Sequence, residues 1–341
     1  MLEQIAVMLK KITTPEFYQN AGTLLFTPNW WQLLLCFLAC SALMIICLNA
    51  IERNGFEGTL IGTLIMPYFS GFSNLCFAWL MAKKGSNGAV VLENCLVNNV
   101  TTLTLVLAIP AMLWGLNLFK GKHLAVNDMK INRLSLVLSL LALVFFGAAV
   151  FAVSRDGSIN MADGMLLVGI FLFWQVIHLF DVLKSKTRKN VSIRKRIWID
   201  LIIIGLCAWG IYSSIDSLVE LIFSRTTGLF SRTHLGLLSG ILMVVPNAFL
   251  AVYYSAVNRS DIAYSSQIGD CHICIPLCIG VFAIFSTITV YPAFQMTVYI
   301  LIGAAATHLI FMSFAGKLPR LAGVFLTGVY VFFLYKNGLS P

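Results

Sequence analysis

The sequence has few charged residues. Asp, Glu, Lys and Arg make up 11% of its 341 residues, whereas soluble domains carry about a quarter. Hydrophobic residues account for 59%, and the mean hydropathy is +0.88. An ordinary water-soluble domain is therefore excluded, and a polytopic membrane protein is predicted. The pI near 9.1 does not indicate nucleic acid, because the basic residues cluster in short segments between apolar runs.

Secretion signals and enzyme motifs are also lacking. All nine cysteines lie in apolar segments, so a secreted disulfide framework is not expected. A cleavable signal peptide is not expected either, because Lys10 and Lys11 are followed by Pro15 and polar residues instead of an apolar run. An HExxH motif, an Asp-rich phosphate site and a Ser/His/Asp set at matching depth are missing. The protein is therefore expected not to be an enzyme.

Ten apolar runs are long enough to cross a bilayer, which takes roughly 20 residues per helix. They lie near 31–51, 57–82, 88–118, 134–153, 163–183, 197–222, 233–257, 262–288, 291–315 and 320–336. The basic segment 184–196 separates residues 29–183 from residues 197–341, with five spans in each part. Because five is odd, the two parts enter the membrane in opposite directions. The predicted fold is all-α, with two inverted five-helix repeats, and residues 1–28 are either an interfacial helix or a frayed terminus.

The distribution of positive charge predicts an orientation. On the ten-span arrangement, 15 of the 23 lysines and arginines fall on one side of the membrane and 8 on the other. Because positive loops favour the cytoplasm, the 184–196 segment is expected inside and both termini outside. The expected location is the lipid bilayer of a plasma or inner membrane.

Polar residues and prolines are concentrated in the second and third spans of each part. Pro67 and Gly71 in the second span and Pro246 in the seventh predict broken helices. Each polar side chain in a lipid-facing helix costs free energy unless it is paired. Interrupted helices at corresponding positions in two halves predict a transporter's binding site. The polar residues of the third and eighth spans are Glu93, Asn94, Asn98, Asn99, Thr101, Thr102, Ser265, Ser266, Gln267 and Asp270.

One face of each polar helix is predicted to line a cavity. At about 100° per residue, three residues in each half share that face. They are Asn94, Asn98 and Thr102 in the first half and Ser266, Asp270 and Cys274 in the second. Glu93 lies about 100° from its stripe, so it is expected to flank the cavity and remains a candidate. An intramembrane acid is a functional candidate by default, which makes Asp270 the foremost one.

Cysteine and histidine offer a second type of site. Cys271, Cys274 and Cys278 stand at i, i+3 and i+7 with His272 beside them, and thiolate and imidazole suit soft metals. A tetrahedral site would need a second helix, for instance through Cys95, and cysteine is also a common packing residue. His308, like His178, is a lone histidine in an apolar span and is expected to form an interhelical hydrogen bond.

The two polar segments resemble the signatures of the cation/calcium exchanger superfamily, which includes the sodium/calcium exchangers. IGTLIMPYFSGFSNL and MVVPNAF look like that family's proline-and-glutamate signature, and NGAVVLENCLVNNVTT and SDIAYSSQIGDCHIC look like its second signature. The resemblance implies two inverted five-helix repeats and antiport of cations. It also implies a cation shell of Asn74, Asn247, Asp270, Ser70, Asn94, Asn98 and Thr102, with Ser266 and Glu93 beside it.

The sequence departs from the family where charge matters. The family has glutamates where this chain has Asn74 and Asn247, and amides offer oxygens without charge. Calcium prefers six to eight oxygens with carboxylates among them. The expected function is a secondary active cation transporter for calcium, sodium or protons, with no cofactor. The alternatives are a non-transporting membrane subunit or sensor on the same fold, and a transporter of a softer metal ion held by Cys271, Cys274 and His272.

Overall fold

The computed structural model describes residues 29–51, 68, 71–118, 126–184, 196–223 and 234–338. The predicted N-terminal segment 1–28, the interior of the basic segment 184–196, Pro67 and Ser70 lie outside these ranges. Predictions that concern them therefore remain predictions.

The described chain is helical, as its apolar composition predicts. The helices are α1 Trp30–Ile51, α2 Phe72–Lys83, α3 Gly88–Thr101, α4 Ala108–Trp114, α5 Val126–Val153, α6 Met161–Lys184, α7 Arg196–Phe223, α8 Leu235–Ala256, α9 Ser260–His272, α10 Ile279–Phe285, α11 Phe294–Phe314 and α12 Arg320–Gly338. Seven helical stretches in the described residues are long and apolar enough to cross a membrane, counting 88–114 and 260–285 as one stretch each. The all-α prediction is confirmed at this level.

The third and eighth predicted spans are interrupted by π-helix. Segment π1, Thr102–Val106, joins α3 to α4, and segment π2, Ile273–Cys278, joins α9 to α10. By contrast, α8 runs through Pro246 as one helix of 22 residues. The predicted break at Pro246 is therefore wrong. One proline removes a single helical N–H, and a packed transmembrane helix tolerates that loss because neighbouring groups compensate for it.

The helices pack in pairs that join the two parts of the chain. Helix α1 packs along α7, α3 along α8 and α5 along α11, while α6 contacts α10 and α12 contacts α4. Glu93 lies against Gly236, and Val97, one turn later, lies against Gly240, so α3 and α8 run in the same direction. A methyl group on Gly240 would lie 2.8 Å from the carbonyl oxygen of Asn94. Only glycine permits this close approach.

Two short strand pairs clip loops of the two parts together. Strand β1, Leu116–Asn117, pairs antiparallel with β4, Lys317–Leu318, and β2, Ser158–Ile159, pairs antiparallel with β3, Ile288–Thr289. Helix α4 ends at Gly115, whose φ of +68° lets the chain turn directly into β1. We refer to these pairs as the β1–β4 clip and the β2–β3 clip.

Candidate functional site

A cluster of amides and one carboxylate lies where α2, α3, α8 and α9 meet. Asn247 Nδ2 donates to Asp270 Oδ2 at 3.1 Å, and Asn98 Nδ2 donates to Asn74 Oδ1 at 3.3 Å. The Cys274 thiol, one turn after Asp270, donates to Asn98 Oδ1 at 3.6 Å and so links the Asn247–Asp270 pair to the Asn98–Asn74 pair. All five side chains are buried, with at most 1% of their surface exposed. The structure therefore brings together three residues of the predicted stripes, Asn98, Asp270 and Cys274, with the two asparagines that the family resemblance implied as ligands, Asn74 and Asn247.

Two polar atoms of this cluster, Asp270 Oδ1 and Asn74 Nδ2, have no hydrogen-bond partner among the described residues. The buried hydroxyl of Thr102, four residues after Asn98, has none either. An unpaired buried polar atom costs about 1–3 kcal/mol, and more when it is charged, so it usually indicates a missing partner. Oxygen atoms without a partner are the ligands that hard cations bind. Asp270 is the carboxylate among the five residues, and one of its two oxygens has no partner among the described residues.

Gly71 lies next to Asp270 Oδ1, the carboxylate oxygen without a partner, and its lack of a side chain leaves space beside that atom. A methyl group built on Gly71 would lie 3.1 Å from Asp270 Oδ1 and 2.9 Å from Ile273 Cγ2. Helix α2 begins at the next residue, Phe72, and the positive end of a helix dipole favours a nearby negative charge. The start of α2 therefore lies next to the carboxylate of Asp270.

The other predicted amide and hydroxyl ligands lie around this cluster in supporting positions. Asn94 Nδ2 donates to Ser239 Oγ at 2.8 Å and contacts Met243 Sδ at 3.6 Å, which joins α3 to α8. The half-buried Ser266 donates to the carbonyl of Ala263 on its own helix at 3.2 Å. Asn94 retains a free Oδ1. Ser266 is the predicted ligand whose hydroxyl hydrogen is already used by its own helix.

Two residues outside the predicted ligand set hold the frame of the cluster. Asn99 Nδ2 donates to the carbonyl of Cys271 at 3.0 Å, and Gln267 Nε2 donates to the carbonyl of Asn247 at 3.1 Å. Both side chains are buried and both keep a free amide oxygen. Their polarity within apolar helices is the feature of the sequence that could have identified them. Both were left out of the predicted ligand set because they lie off the stripes drawn at about 100° per residue.

Glu93 is separated from the cluster. Its side chain packs against Gly236 in the first turn of α8. Asn247 follows Gly236 on that helix by a stretch that spans about 16 Å at 1.5 Å per residue. Glu93 therefore lies at a different level of α8 from Asn247.

The predicted soft-metal set is not brought together. His272 points away from the thiols: its Nε2 bonds to the carbonyl of Ser139 at 2.8 Å, and its ring packs edge-on against Phe146 and Trp174. The thiols of Cys271 and Cys274 remain on the interior side, fully buried. The described residues contain no group of three or more histidines, cysteines or acidic residues that could hold a metal ion.

His308 forms the interhelical hydrogen bonds that the sequence predicts. Its Nε2 lies 2.9 Å from the carbonyl oxygen of Leu103 in π1, and its Nδ1 lies 2.9 Å from the hydroxyl of Tyr264. A carbonyl can only accept, so Nε2 carries the proton and Nδ1 accepts from Tyr264. The histidine thus ties α11 to π1 and α9. The His178 side chain lies outside the described part of the chain.

A small cavity adjoins the cluster on the side of α1 and α7. Its volume is about 10 Å³, which is close to the room that one water molecule needs. Its lining combines small polar groups with apolar side chains: Ser41, Met44, Ile45, Ser73, Ile211, Met243, Pro246 and Asn247. The Asn247 amide therefore has the carboxylate of Asp270 on one side and a small space on the other.

Comparison with known proteins finds a family model that matches part of the chain. The family model described as "Sodium/calcium exchanger protein" matches residues 30–180, which include α2, α3 and π1. Residues 30–180 are therefore similar to the sodium/calcium exchanger family. The resemblance found in the polar segments is thereby confirmed. No curated protein matches the sequence.

Solved structures extend the similarity across both parts of the chain. The sodium-calcium exchanger NCX_Mj, soaked with 2.5 mM Na⁺ and 10 mM Sr²⁺, has a TM-score of 0.66 at 14% identity, covering 89% of this chain and 96% of that chain. The same exchanger soaked with 2.5 mM Na⁺ and 0.1 mM Ca²⁺ has a TM-score of 0.64 at 16% identity, with 92% and 98% covered. At such identities the similarity establishes the fold.

Proposed function

We propose that this chain is a secondary active cation transporter, an antiporter that works by alternating access with its site between the two parts of the membrane domain. The observation that carries the proposal is the buried cluster of Asn74, Asn98, Asn247, Asp270 and Cys274, in which a carboxylate oxygen has no partner. A buried carboxylate is costly unless it is paired. A bound cation or a proton supplies the missing partner.

We further propose ten spans in two inverted five-helix repeats. Corresponding helix contacts in the two parts support this arrangement. Helix α6 of the fifth span contacts α10 of the eighth, and α12 of the tenth span likewise contacts α4 of the third. The direction of the helices agrees with it: α3 and α8, the third and seventh spans, run parallel. Helices α5 and α11, the fourth and ninth, run antiparallel, because Arg133 bonds to the carbonyl of Met312 while Gly147 lies against Ile302. Cysteine labelling of single sites from each side of the membrane tests the topology, including a cytoplasmic 184–196 segment in a plasma or inner membrane.

The proposed cation shell is centred on Asp270 and Asn247. Asn74, Asn98 and Thr102 supply further oxygens, and Ser70, Asn94 and Ser266 stand as outer candidates. At an effective dielectric near 20, a charge about 4 Å away stabilises a monovalent ion by about 4 kcal/mol and a divalent ion by about 8 kcal/mol before desolvation. Two amides at positions where relatives carry acids therefore penalise divalent ions more. We propose weak calcium binding and sodium or proton as a coupling ion.

Ion flux into proteoliposomes tests the transport proposal. Purified protein is reconstituted and exposed to radiolabelled sodium and calcium under imposed sodium and proton gradients. The expected result is gradient-driven uptake that Asp270→Asn abolishes and Ser265→Ala leaves intact. Ser265 is a suitable control because it lies on the same helix, is exposed and bonds to its own helix at the Ile262 carbonyl. Uptake that is equal in all three proteins would overturn the site assignment.

A non-transporting membrane subunit or sensor is the second candidate, and Asn74 and Asn247 in place of acids favour it. Such a protein would bind a cation at Asp270 without moving it across the bilayer. Equilibrium binding of radiolabelled cation to the purified protein separates the two. Binding that Asp270→Asn removes, with no flux under any gradient, would establish the second candidate. A soft-metal transporter has less support, because His272 faces away from Cys271 and Cys274.

A further inference from the structure

The two strand clips differ in charge, since the β2–β3 clip has two aspartates beside Arg155 whereas the described charged residues of the β1–β4 clip are both basic. At the β2–β3 clip, Asp156 accepts from the backbone N–H of Ser158, and Asp163 accepts from that of Asn160. At the β1–β4 clip, the exposed charged residues are Lys317, in β4, and Arg320, the first residue of α12. Neither of these two cations forms an ion pair with another residue in the described ranges. The basic clip therefore has uncompensated positive charge.

A cleft lies against this basic clip. Its volume is about 350 Å³, enough for a phosphate-bearing headgroup of small-ligand size. Its lining is Trp114, Gly115, Asn117, Lys317, Leu318, Pro319, Arg320 and Leu321. Both cations, a backbone turn and apolar side chains thus share one concave surface at the ends of α4 and α12.

The apolar surroundings place this cleft at the edge of the hydrocarbon. Leu321 is 83% exposed and Phe314, at the end of α11, is 86% exposed. Such side chains at the end of an apolar helix are covered by lipid chains in a membrane protein. Trp114 is 39% exposed at the end of α4, and tryptophan is enriched at the membrane–water interface. Polar headgroups and acyl chains meet at this level of a bilayer.

We propose that the cleft beside the β1–β4 clip binds the phosphate headgroup of an anionic phospholipid. Lys317 and Arg320 supply the charged contacts, because guanidinium and ammonium groups both bind phosphate oxygens. The first turn of α12 adds N–H groups and a positive dipole end that favour the same anion. Trp114 and Leu321 contact the glycerol and the first part of the acyl chains. The site is separate from the Asp270 cluster and does not depend on transport.

Native mass spectrometry of the full chain in detergent tests the proposal. The protein is titrated with phosphatidylglycerol and with phosphatidylcholine of the same acyl chains. The unmodified protein should bind phosphatidylglycerol more tightly. Lys317→Gln with Arg320→Gln should lower that affinity on the order of thirty-fold, since each basic residue near an anionic headgroup contributes a factor of about five. Phosphatidylcholine binding should not change.

Controls separate this site from general charge effects. Arg155→Gln removes one exposed basic residue near the β2–β3 clip and should leave phosphatidylglycerol binding unchanged. Lys317→Arg should retain it, and each single Gln variant should cost about fivefold even if the double variant does not fold. Equal affinity for the two lipids, or a preference that survives the double change, would overturn the proposal. Inorganic phosphate that binds as tightly as phosphatidylglycerol and displaces it would show a free-phosphate site and also overturn it.

Discussion

The stretch α3–π1–α4 and the stretch α9–π2–α10 have nearly the same construction. The first consists of 14 α-helical residues, 5 π-helical residues and 7 α-helical residues, and the second of 13, 6 and 7. The residues that each stretch contributes near the buried cluster differ in charge, with Glu93 of α3 lying apart from it against Gly236. Asn98 and Thr102 in the first are neutral, whereas Asp270 in the second is an acid, followed one turn later by Cys274.

Two stretches with nearly the same backbone thus carry different side-chain charge at the buried cluster. Both stretches bury polar side chains in the same cluster, yet the carboxylate comes from one of them. The first stretch supplies geometry and amide oxygens, while Asp270 supplies charge. Experiments that remove, double or transfer that charge test whether the asymmetry controls ion binding.

Removing the charge should have the largest effect. Asp270→Asn removes the carboxylate of the buried cluster and should reduce cation flux to background, because about 4 kcal/mol of attraction to a monovalent ion is lost before desolvation. Asp270→Glu should keep part of the flux. In the unmodified protein, flux should slow as pH falls on the binding side, since one carboxylate holds a proton or a cation but not both. Flux is measured across a pH series for both proteins. An Asp270→Asn protein with an unchanged rate and an unchanged pH dependence of flux would refute a role for Asp270.

Adding acids should change ion selectivity. Asn74→Glu with Asn247→Glu places carboxylates where relatives carry them and should raise calcium affinity at least about tenfold relative to sodium, the equivalent of about 1.4 kcal/mol. Competition between calcium and radiolabelled sodium on the purified protein measures the ratio. Asn74→Gln with Asn247→Gln is the control, because it lengthens both side chains without adding charge. Equal ratios in the two variants would contradict the electrostatic explanation.

Transferring the charge should restore part of what Asp270→Asn removes. Asn98 contacts Cys274 and Asn74 in the cluster, so Asn98→Asp in the Asp270→Asn background returns one carboxylate from the opposite stretch. Flux should recover about tenfold over the Asp270→Asn background, short of the original rate, because Asn247 is positioned to bond to Asp270. Thr104→Asp is a poor substitute because Thr104 bonds to the Val100 carbonyl, and it should not rescue flux. Rescue by both variants would mean that the position of the carboxylate along the first stretch does not affect flux.

Different side chains bond to the backbone in and near the two π segments, which allows a stability comparison. His308 binds the Leu103 carbonyl of π1, and Asn99 binds the Cys271 carbonyl of α9, two residues before π2 begins. His308→Phe should lower the free energy of unfolding by about 1–3 kcal/mol, because it also leaves the Tyr264 hydroxyl without its partner. Asn99→Leu should cost less, about 1 kcal/mol. Thermal unfolding in detergent measures both, with His308→Gln as the variant that keeps a donor.

The smallest expected effect is at Glu93. Because this side chain lies against Gly236 and at another depth from Asp270, Glu93→Gln should lower flux by less than about tenfold and leave its pH profile in place. The same flux assay measures it. Damage equal to that of Asp270→Asn would show that the two acids share one cation, and the separation seen in the structure would not describe the transporting state.

The sequence predicts the helices well because a bilayer restricts them. Predicted spans 291–315 and 320–336 correspond to Phe294–Phe314 and Arg320–Gly338, since spanning helices need about 20 apolar residues and end at polar seams. The central residues of the cluster were also predictable. Asn98 and Asp270 are polar where lipid-facing helices are apolar, and burial of such groups requires partners.

Other features depend on contacts that a helical wheel does not contain. A wheel at about 100° per residue predicts the face on which Ser266 lies, but it does not show that the hydroxyl bonds to the Ala263 carbonyl of the same helix. The wheel also assumes one helical period, whereas π1 and π2 change the period inside both polar spans. The strand clips rest on pairing between residues about two hundred positions apart, such as Leu116 and Leu318. Such pairings follow from the folded arrangement of all spans.

Each π segment also gives its helix one residue more than an unbroken α-helix of the same length would hold. Leu107 N–H bonds to the Thr102 carbonyl, five residues back, where an α-helix would reach back four. Exchanging such a bond for an α-helical one absorbs the surplus residue and rotates everything beyond it by about 100° with a rise of about 1.5 Å. For α4 and α10 that rotation would present a different row of side chains to α12 and α6, the helices they contact. A shift of helical phase in one stretch alone would change one half of the protein while leaving the other half in place.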